Sequence, residues 1–320
     1  MPPLRLLADD LTGALDSAAR FIPLTGPVAV MWREPAAGSL AFDSGTRELD
    51  AIAAHSRIAG VAAVLDGGDP AFKKIDSLLR GHVAVELAVC LRHFDHCVLA
   101  PAFPFQGRIT RNGRQLVRTT DGWRDTGVDL ADALRAQGVS VQVHDATTDA
   151  ELDAIVATGR RLPGRVLWCG TGGLAGALAG NRAVPMPVLR APVLALVGSD
   201  HPVSRAQVAA VPPELRSAVV TCALPDSADR VAARRAIAEA FAGVLQRVER
   251  PATLFVIGGE TLRDVCTALG ASQLVVDGEL EPGVPTSRLR GVAWDGQRLV
   301  SKSGAFGDTG FLARLLGDAR

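Results

Sequence analysis

Short apolar runs alternate with segments of helical periodicity along almost the whole chain, and this alternation limits the possible folds more than any other feature. Apolar runs of strand length that alternate with helices predict parallel sheets covered by helices on both faces. The predicted elements include strands over Leu4–Ala8, Gly60–Leu65, Val139–His144, Val193–Val197 and Thr253–Ile257 and helices over Ala14–Phe21 and Ser77–Arg92. We therefore expect an α/β fold of two Rossmann-like domains with mainly parallel sheets and a ligand cleft between them.

A proline-rich segment marks the boundary between the two expected domains. The stretch NRAVPMPVLRAP, at 181–192, contains three prolines that disfavour a helix, and the strand pattern resumes only after it. With 320 residues, of which 48% are hydrophobic, the chain is long enough to form a core on each side of this segment. We predict one domain over 1–185 and a second over 186–320.

The charge balance limits the classes of partner. Lys plus Arg and Asp plus Glu both number 34, so the chain lacks the general positive charge typical of non-specific binding to nucleic acids or anionic membranes. No apolar run approaches the roughly 18 residues that span a bilayer, and we expect no secretion signal. We expect a cytoplasmic protein that binds a small molecule and neither nucleic acid nor a membrane. The chain is also compatible with a homo-oligomer.

Two further patterns do not indicate a site. The five cysteines lack CxxC spacing and the six histidines lack HxxxH spacing, so we expect no metal site formed by protein ligands alone. A hairpin is predicted at Asn112-Gly113, a dipeptide that suits a tight primed turn. The lack of interleaved aromatic residues argues against an RNA-binding surface at the nearby arginines, which are Arg108, Arg111, Arg114 and Arg118.

An aspartate doublet follows the first predicted strand, in the stretch LLADDLTGALDSA at 6–18. Asp9 and Asp10 lie where a buried strand ends, and an unpaired charge is costly to bury there. They therefore either cap the next helix or face a ligand that binds carboxylates.

The stretch KKIDSLLRGHVAVEL at 73–87 predicts an anion site. Its apolar periodicity indicates a helix from Ser77, capped by Asp76 or Ser77. Lys73, Lys74 and Arg80 then crowd the positive end of that helix, which is unfavourable unless an anion such as a carboxylate or phosphate is bound. The alternative is a capped helix with solvated lysines.

Three turns in the second half each join an apolar strand to a helix through glycine and a small residue. Such turns present free N–H groups to an anion, although any one of them is equally an ordinary tight turn. The stretch GTGGLA at 170–175 fits a dinucleotide fingerprint, but no acidic residue follows at the required distance, so tight packing is favoured there.

The turn IGGETL and the separate glycine-rich stretch KSGAFGD are better candidates for a phosphate site. In the first, Gly258 and Gly259 allow close approach of a phosphate, Glu260 is suited to a ribose hydroxyl or magnesium, and Thr261 can cap the helix. In the second, Lys302 precedes a glycine-rich loop suited to cover a phosphate tail. The Walker pattern is absent, and the turns together favour a bound nucleotide.

Taken in order, these stretches resemble the landmarks of the four-carbon acid sugar kinases, which phosphorylate tetronate-type sugar acids with ATP. The resemblance runs nearly end to end and rests on ADDLTGALDSA, KKIDSLLRG, APAFPFQGRITRNG, LWCGTGGLAGALA, VGSDHPVSRAQ, GGET, ELEPGVP and KSGAFGD. It implies an N-terminal domain that holds the sugar acid and a C-terminal domain that holds ATP. The chain departs from the family in having Leu78 where threonine is usual, and in being shorter between the hairpin and GGET.

The resemblance assigns site residues in both halves. The substrate contacts it implies, with Arg80 added from the charge pattern, are Asp9, Asp10, Arg47, Lys74, Asp76, Ser77 and Arg80. The nucleotide contacts, with Lys302 added in the same way, are Ser199, Gly258, Gly259, Glu260, Thr261, Lys302 and Gly304.

Phosphoryl transfer from ATP with Mg²⁺ is the mechanism expected of these residues. Lys74 and Arg47 would bind the substrate carboxylate, and Asp10 or Asp76 would act as the catalytic acceptor of the hydroxyl proton. Asp9 is a candidate to hold magnesium. Two alternatives stay open: an NAD(P)-dependent hydroxy-acid dehydrogenase, and a non-catalytic sugar-acid-binding relative.

Overall fold

A computed structural model describes residues 3–35, 37–222 and 230–319 of the chain. The chain forms two compact units, Met1–Val184 and Pro185–Arg320. Within the described residues, no helix has both the length and the apolar character needed to cross a membrane.

The first unit is a parallel α/β sheet with a small antiparallel sheet. Its strands are β1 (Arg5–Ala8), β2 (Val28–Met31), β3 (Leu40–Asp43), β4 (Ala71–Lys74), β5 (His96–Ala100), β6 (Arg108–Arg111), β7 (Arg114–Thr119), β8 (Gly122–Asp125) and β9 (Val166–Gly170). Its helices are α1 (Leu11–Thr25), α2 (Ala51–Val61), α3 (Val83–Cys90), α4 (Leu130–Ala136), α5 (Asp149–Gly159) and α6 (Gly172–Leu178).

The main sheet of this unit has the order β2-β3-β1-β4-β9-β5, and all of its pairs are parallel. Leu7 and Phe42 face a core that helices α2 and α3 complete with Ile58 and Leu87. Neighbouring residues of a strand point to opposite faces, and Phe72 packs on the other side, with its ring 5.5 Å from that of Phe21 in α1. Strands β6, β7 and β8 form the separate antiparallel sheet.

The second unit is a mixed sheet with four helices among its described residues. Its strands are β10 (Val193–Val197), β11 (Val219–Thr221), β12 (Thr253–Ile257), β13 (Ala271–Glu279), β14 (Pro285–Gly291) and β15 (Arg298–Lys302), and its helices are α7 (Pro202–Ala209), α8 (Arg230–Arg247), α9 (Gly259–Ala268) and α10 (Phe311–Asp318). The order is β11-β10-β12-β15-β14-β13, in which β11, β10, β12 and β15 are parallel and β14 and β13 are antiparallel. The mainly parallel α/β fold expected from the alternation is confirmed.

Two predicted strands are wrong. Over Gly60–Leu65 the chain instead completes α2 and adds a 3-10 turn over Ala62–Leu65, because its alanines and apolar residues pack as well on a helix as on a strand. Over Val139–His144 only an isolated bridge from Leu99 to Val143 forms. The predicted hairpin is confirmed, since Asn112 and Gly113 both adopt the positive φ angles, 53° and 72°, of a primed turn.

The helix predicted from Ser77 begins instead at Val83. The Asp76 carboxylate accepts hydrogen bonds from the amides of Leu78 and Arg80, so this side chain offers the backbone an alternative to helical bonding. Leu79 and Gly81 then take positive φ angles of 60° and 81°. The six residues from 77 to 82 therefore form a loop that carries charged side chains, and no helix terminus lies at Ser77.

Candidate functional site

Charged side chains meet where three neighbouring parallel strands of the first unit end. Asp9 and Asp10 follow β1, Arg47 lies four residues beyond β3, and Asp76 lies two residues beyond β4. Since β3, β1 and β4 are adjacent and parallel, their carboxyl ends lie at one edge of the sheet, which is where open α/β sheets bind ligands. The structure thus brings together residues that are far apart in the sequence.

Arg47 is the centre of this cluster. Its Nε and one terminal nitrogen each donate to an oxygen of Asp9 at 2.8 Å, and its other terminal nitrogen lies 2.7 Å from Asp10 Oδ2 and 3.7 Å from Asp76 Oδ1. Burial raises the pKa of Asp9, but Arg47, with smaller effects of Lys73 and Lys74, outweighs burial and keeps that pKa below its ordinary value. One guanidinium therefore lies within 4 Å of three carboxylates.

The two aspartates of the doublet differ in what they do. Asp10 is the N-cap of α1, where it accepts the amide of Gly13 at 2.9 Å and the hydroxyl of Thr12 at 2.6 Å. Asp9 is buried and bound by Arg47 through both of its oxygens. The helix-cap alternative thus applies to Asp10, and the buried ion pair accounts for Asp9.

Asp76 is held by Arg80. The Arg80 Nε and a terminal nitrogen donate to the two Asp76 oxygens at 2.9 and 2.8 Å. Burial raises the pKa of Asp76, but the hydrogen bonds from Arg80 and the charge of Arg47 lower it well below its ordinary value. Asp76 therefore stays ionised at any physiological pH. Ser77 is buried beside it, and its carbonyl accepts the Gln115 amide at 2.9 Å.

The adjacent lysines point to opposite faces of the sheet. Lys74 Nζ donates to Ile75 O at 2.9 Å on the side of α1, and a methyl group placed on Gly13 would lie 2.9 Å from it. Lys73 Nζ lies instead 2.6 Å from Glu86 Oε2 in α3, and both of these side chains are fully buried. Burial lowers the pKa of Lys73, but Glu86, with smaller effects of Asp9 and Cys90, outweighs burial and keeps that pKa above its ordinary value. The predicted gathering of both lysines with Arg80 at a helix end is therefore wrong.

Sequence reasoning missed Glu86, Thr46 and Arg108. Strand alternation across Lys73 and Lys74 could have shown that one lysine faces the core and needs a buried carboxylate there. Arg108, assigned only to the hairpin, is half-buried, and its pKa is lowered by burial and by Arg80 while Asp76 raises it. Arg108 is thus within electrostatic range of Asp76 and Arg80.

The candidate nucleotide residues lie at the ends of three neighbouring parallel strands of the second unit. Ser199 follows β10, Gly258 follows β12 and Gly304 follows β15. A methyl group on Gly304 would overlap Ser199 Oγ, and one on Gly198 would overlap Thr261 Oγ1. The loops are therefore in such close contact at Gly198 and Gly304 that neither position has room for a side chain.

Helix α9 starts within this group of loops. Its first residue is Gly259 and its N-cap is Gly258, with a φ of 114°, so Thr261 lies in the first turn and not at the cap position predicted for it. The amides of the first turn have no partner within the helix and are available to an anion. Glu260 lies at the exposed side, with an oxygen 3.3 Å from Arg234 in α8.

Lys302 anchors the loop that follows β15. Its buried ammonium donates to Ser303 O at 3.1 Å and to Phe306 O at 3.0 Å, and Ser204 donates to Gly304 O at 2.8 Å. Burial lowers the pKa of Lys302 to about 8, against a smaller opposing effect of Glu281. Lys302 thus fixes the shape of the glycine loop through its carbonyl groups.

We expect Lys302 to make stability rise with pH. Between its folded pKa of about 8 and its ordinary value of 10.5, the unfolded chain binds more protons than the folded chain at this site. The free energy of unfolding should therefore rise by about 3 kcal/mol across this pH window. The Lys302→Met variant has no group that titrates at this position, so its free energy of unfolding should lack this rise. Urea unfolding of both proteins from pH 7 to pH 10.5 measures the difference, and parallel pH curves would contradict the assignment.

The GTGGLA stretch at 170–175 has a packing role. A methyl group on Gly172 would lie 2.9 Å from the Phe103 ring, and one on Gly173 would lie 3.1 Å from Leu152 Cδ1. The glycines are thus needed for α6 to lie close to its neighbours, as favoured from the sequence.

Two domain families match the chain: a sugar-binding N-terminal domain over residues 4–129 and a nucleotide-binding C-terminal domain over residues 218–312. A D-threonate kinase of Cupriavidus necator is 29% identical over an alignment that covers 94% of each chain. A D-threonate kinase of Bordetella bronchiseptica is 28% identical over 98% of this chain and 96% of that protein. A solved Haemophilus influenzae protein, 19% identical over 98% of this chain and 99% of its own, has a TM-score of 0.65 and thus the same fold.

Proposed function

The chain belongs to the four-carbon acid sugar kinase family, and from this premise we propose that it transfers a phosphoryl group from ATP to a hydroxyl of a tetronate or keto-tetronate acid. In this proposal the first unit binds the acid and the second binds the nucleotide. The two relatives that align with nearly the whole chain, and thus with both domains, carry the name D-threonate kinase. Threonate is therefore the first acid to test.

The charge arrangement around Arg47 is the observation that carries the proposal. A sugar acid presents one carboxylate and several hydroxyl groups, so its site needs cations and hydrogen-bond acceptors within a few ångströms of each other. Arg47 and Lys74 supply the cations at the strand ends, and Asp10 supplies an acceptor 2.7 Å from Arg47. Arg80 and Ser77 complete the candidate acid site from the loop after β4.

The two candidate catalytic aspartates receive different roles. Asp76 accepts four hydrogen bonds from Leu78 and Arg80 and has a strongly lowered pKa, so we assign it to holding Arg80 and Arg47 in place. Asp10 is less buried, and we assign it to orient the reacting hydroxyl and to accept its proton. Both Asp9 oxygens accept from Arg47, so we assign Asp9 to hold the guanidinium, and the magnesium role expected from the sequence stays a prediction.

The glycine loops of the second unit fit a nucleoside triphosphate. The first-turn amides of α9 would face its phosphates, and Ser199, Gly258, Gly259, Glu260, Thr261 and Gly304 would surround it. ATP, bound with Mg²⁺, supplies the phosphoryl group and part of the charge neutralisation. Lys302 holds the loop around Gly304 in the required shape.

The dehydrogenase alternative has lost its main support, because the GTGGLA glycines are explained by close packing. The non-catalytic alternative is decided by the following assay.

We expect the purified protein to release ADP from ATP and Mg²⁺ in the presence of one member of a panel of threonate, erythronate, 2-keto and 3-keto tetronates. A coupled ADP assay measures this, with each acid omitted in turn and with threitol as a neutral control. Background ADP release with every acid, combined with thermal stabilisation by one of them, would reject the kinase and support the non-catalytic sugar-acid-binding alternative. Tight NAD(P)H binding in a fluorescence titration would instead support the dehydrogenase.

A further inference from the structure

A fully buried charged network lies beneath the candidate acid site and has no role in the mechanism above. Lys73 Nζ lies 2.6 Å from Glu86 Oε2, and Thr46 donates its hydroxyl to Glu86 Oε1 at 2.5 Å. Both Thr46 and Lys73 have no exposed surface, and Glu86 is 1% exposed. The network thus joins β4, α3 and the loop after β3 inside the core.

Stability alone does not account for this network. Desolvation of two charges largely cancels their attraction, so a buried ion pair is on average no better than well-packed apolar side chains of similar size. The contacts of the network, however, require one particular geometry, since one Glu86 oxygen binds Lys73 and the other accepts the Thr46 hydroxyl. Such a network fixes the position of the loop more sharply than apolar packing does.

The loop fixed in this way is the one that carries Arg47. Thr46 precedes Arg47 directly, and its Oγ1 lies 2.9 Å from Ser44 Oγ, which donates to Ala8 O at 2.8 Å. The Arg47 amide donates to Asp9 O at 3.2 Å. Of these hydrogen bonds, those of Ser44 and Arg47 therefore attach the loop to the end of β1, and that of Thr46 attaches it to α3.

We propose that Glu86 and Thr46 are positioning residues for Arg47. Glu86, oriented by Lys73, receives the Thr46 hydroxyl and sets the position of residues 44–47, so that the Arg47 guanidinium is held ready for the carboxylate of the sugar acid. The inference rests on the proposed function, because it needs Arg47 to bind that carboxylate.

Replacing Thr46 with valine tests the network with almost no change in side-chain volume. We expect the KM for the acid to rise about tenfold, because the lost buried hydrogen bond is worth roughly 1.4 kcal/mol. The KM for ATP should stay within twofold of the wild-type value. Thr46→Ser keeps the hydroxyl and should restore the wild-type KM. If Thr46→Val does not fold, Thr46→Ala with the same readouts replaces it.

A double-mutant cycle with Arg47→Lys shows whether Thr46 acts through Arg47. We expect Thr46→Val to raise the KM for the acid in the wild type and to add little in the Arg47→Lys background, because the two residues then belong to one unit. Additive effects, or an unchanged KM in Thr46→Val with a lowered melting temperature, would overturn the inference. An inactive wild type on every acid would instead overturn the proposed function, and the two failures are therefore distinct.

Discussion

Replacing Arg47 with lysine is expected to lower kcat/KM for the sugar acid by about a hundredfold. Lysine keeps the positive charge, but it cannot donate to both Asp9 oxygens and to Asp10 at once, as Arg47 does. The ammonium would settle on one carboxylate, and the planar pair of donors that fixes the cation on Asp9 would be lost. Steady-state kinetics with saturating ATP measures the effect.

Arg33→Lys is the matched control, since Arg33 is exposed in the same unit and lies outside the cluster. It should leave kcat/KM unchanged. Arg47→Ala should be worse for folding than Arg47→Lys, because it leaves the buried Asp9 without its partner, at a cost of about 3–5 kcal/mol. Wild-type kinetics in Arg47→Lys would show that the acid does not bind at this guanidinium.

Replacing Gly304 with alanine is expected to raise the KM for ATP by more than about tenfold, with little change in the KM for the acid. The added methyl group would overlap Ser199 Oγ and lie 2.8 Å from Ser199 Cβ, so the loop after β15 or the turn after β10 must move. Both are candidate nucleotide loops. Lys302 and Ser204 hold the loop of Gly304 through its carbonyls, which makes the turn at Ser199 the part that moves.

Gly317→Ala is the control for this substitution, because a methyl group there would meet no other atom within 4 Å. In helix α10 alanine should stabilise slightly. Binding of a fluorescent ATP analogue, measured beside the kinetics, separates a lost nucleotide site from a slower chemical step. Equal nucleotide affinity in Gly304→Ala and Gly317→Ala would remove Gly304 from the nucleotide site.

The sequence predicted the fold class well because periodicity reports directly on which residues face a core. It predicted the start of α3 badly, because apolar spacing from Leu79 onward cannot reveal that the Asp76 carboxylate binds two backbone amides and diverts the chain. That competition depends on side-chain direction, which spacing does not contain.

The candidate site was predictable in part. Arg47 and Asp9 were named from the family resemblance, but their bidentate pairing depends on β1 and β3 being neighbours in the sheet. The partner of Lys73 is 13 positions away on a different element, so only the folded chain shows that Glu86 takes this lysine out of the anion site. The roles of the site residues themselves remain predictions.

The adjacent lysines of β4 have a consequence for how that strand chooses its alignment. Sliding β4 by one position would exchange the two faces of the strand. A lysine would then reach only one of the two positions, near Glu86 or near Gly13, because Ile75 or Phe72 would take the other. A slide would therefore cost one buried ammonium position, and the ring of Phe72, which packs 5.5 Å from that of Phe21, opposes the slide independently of charge.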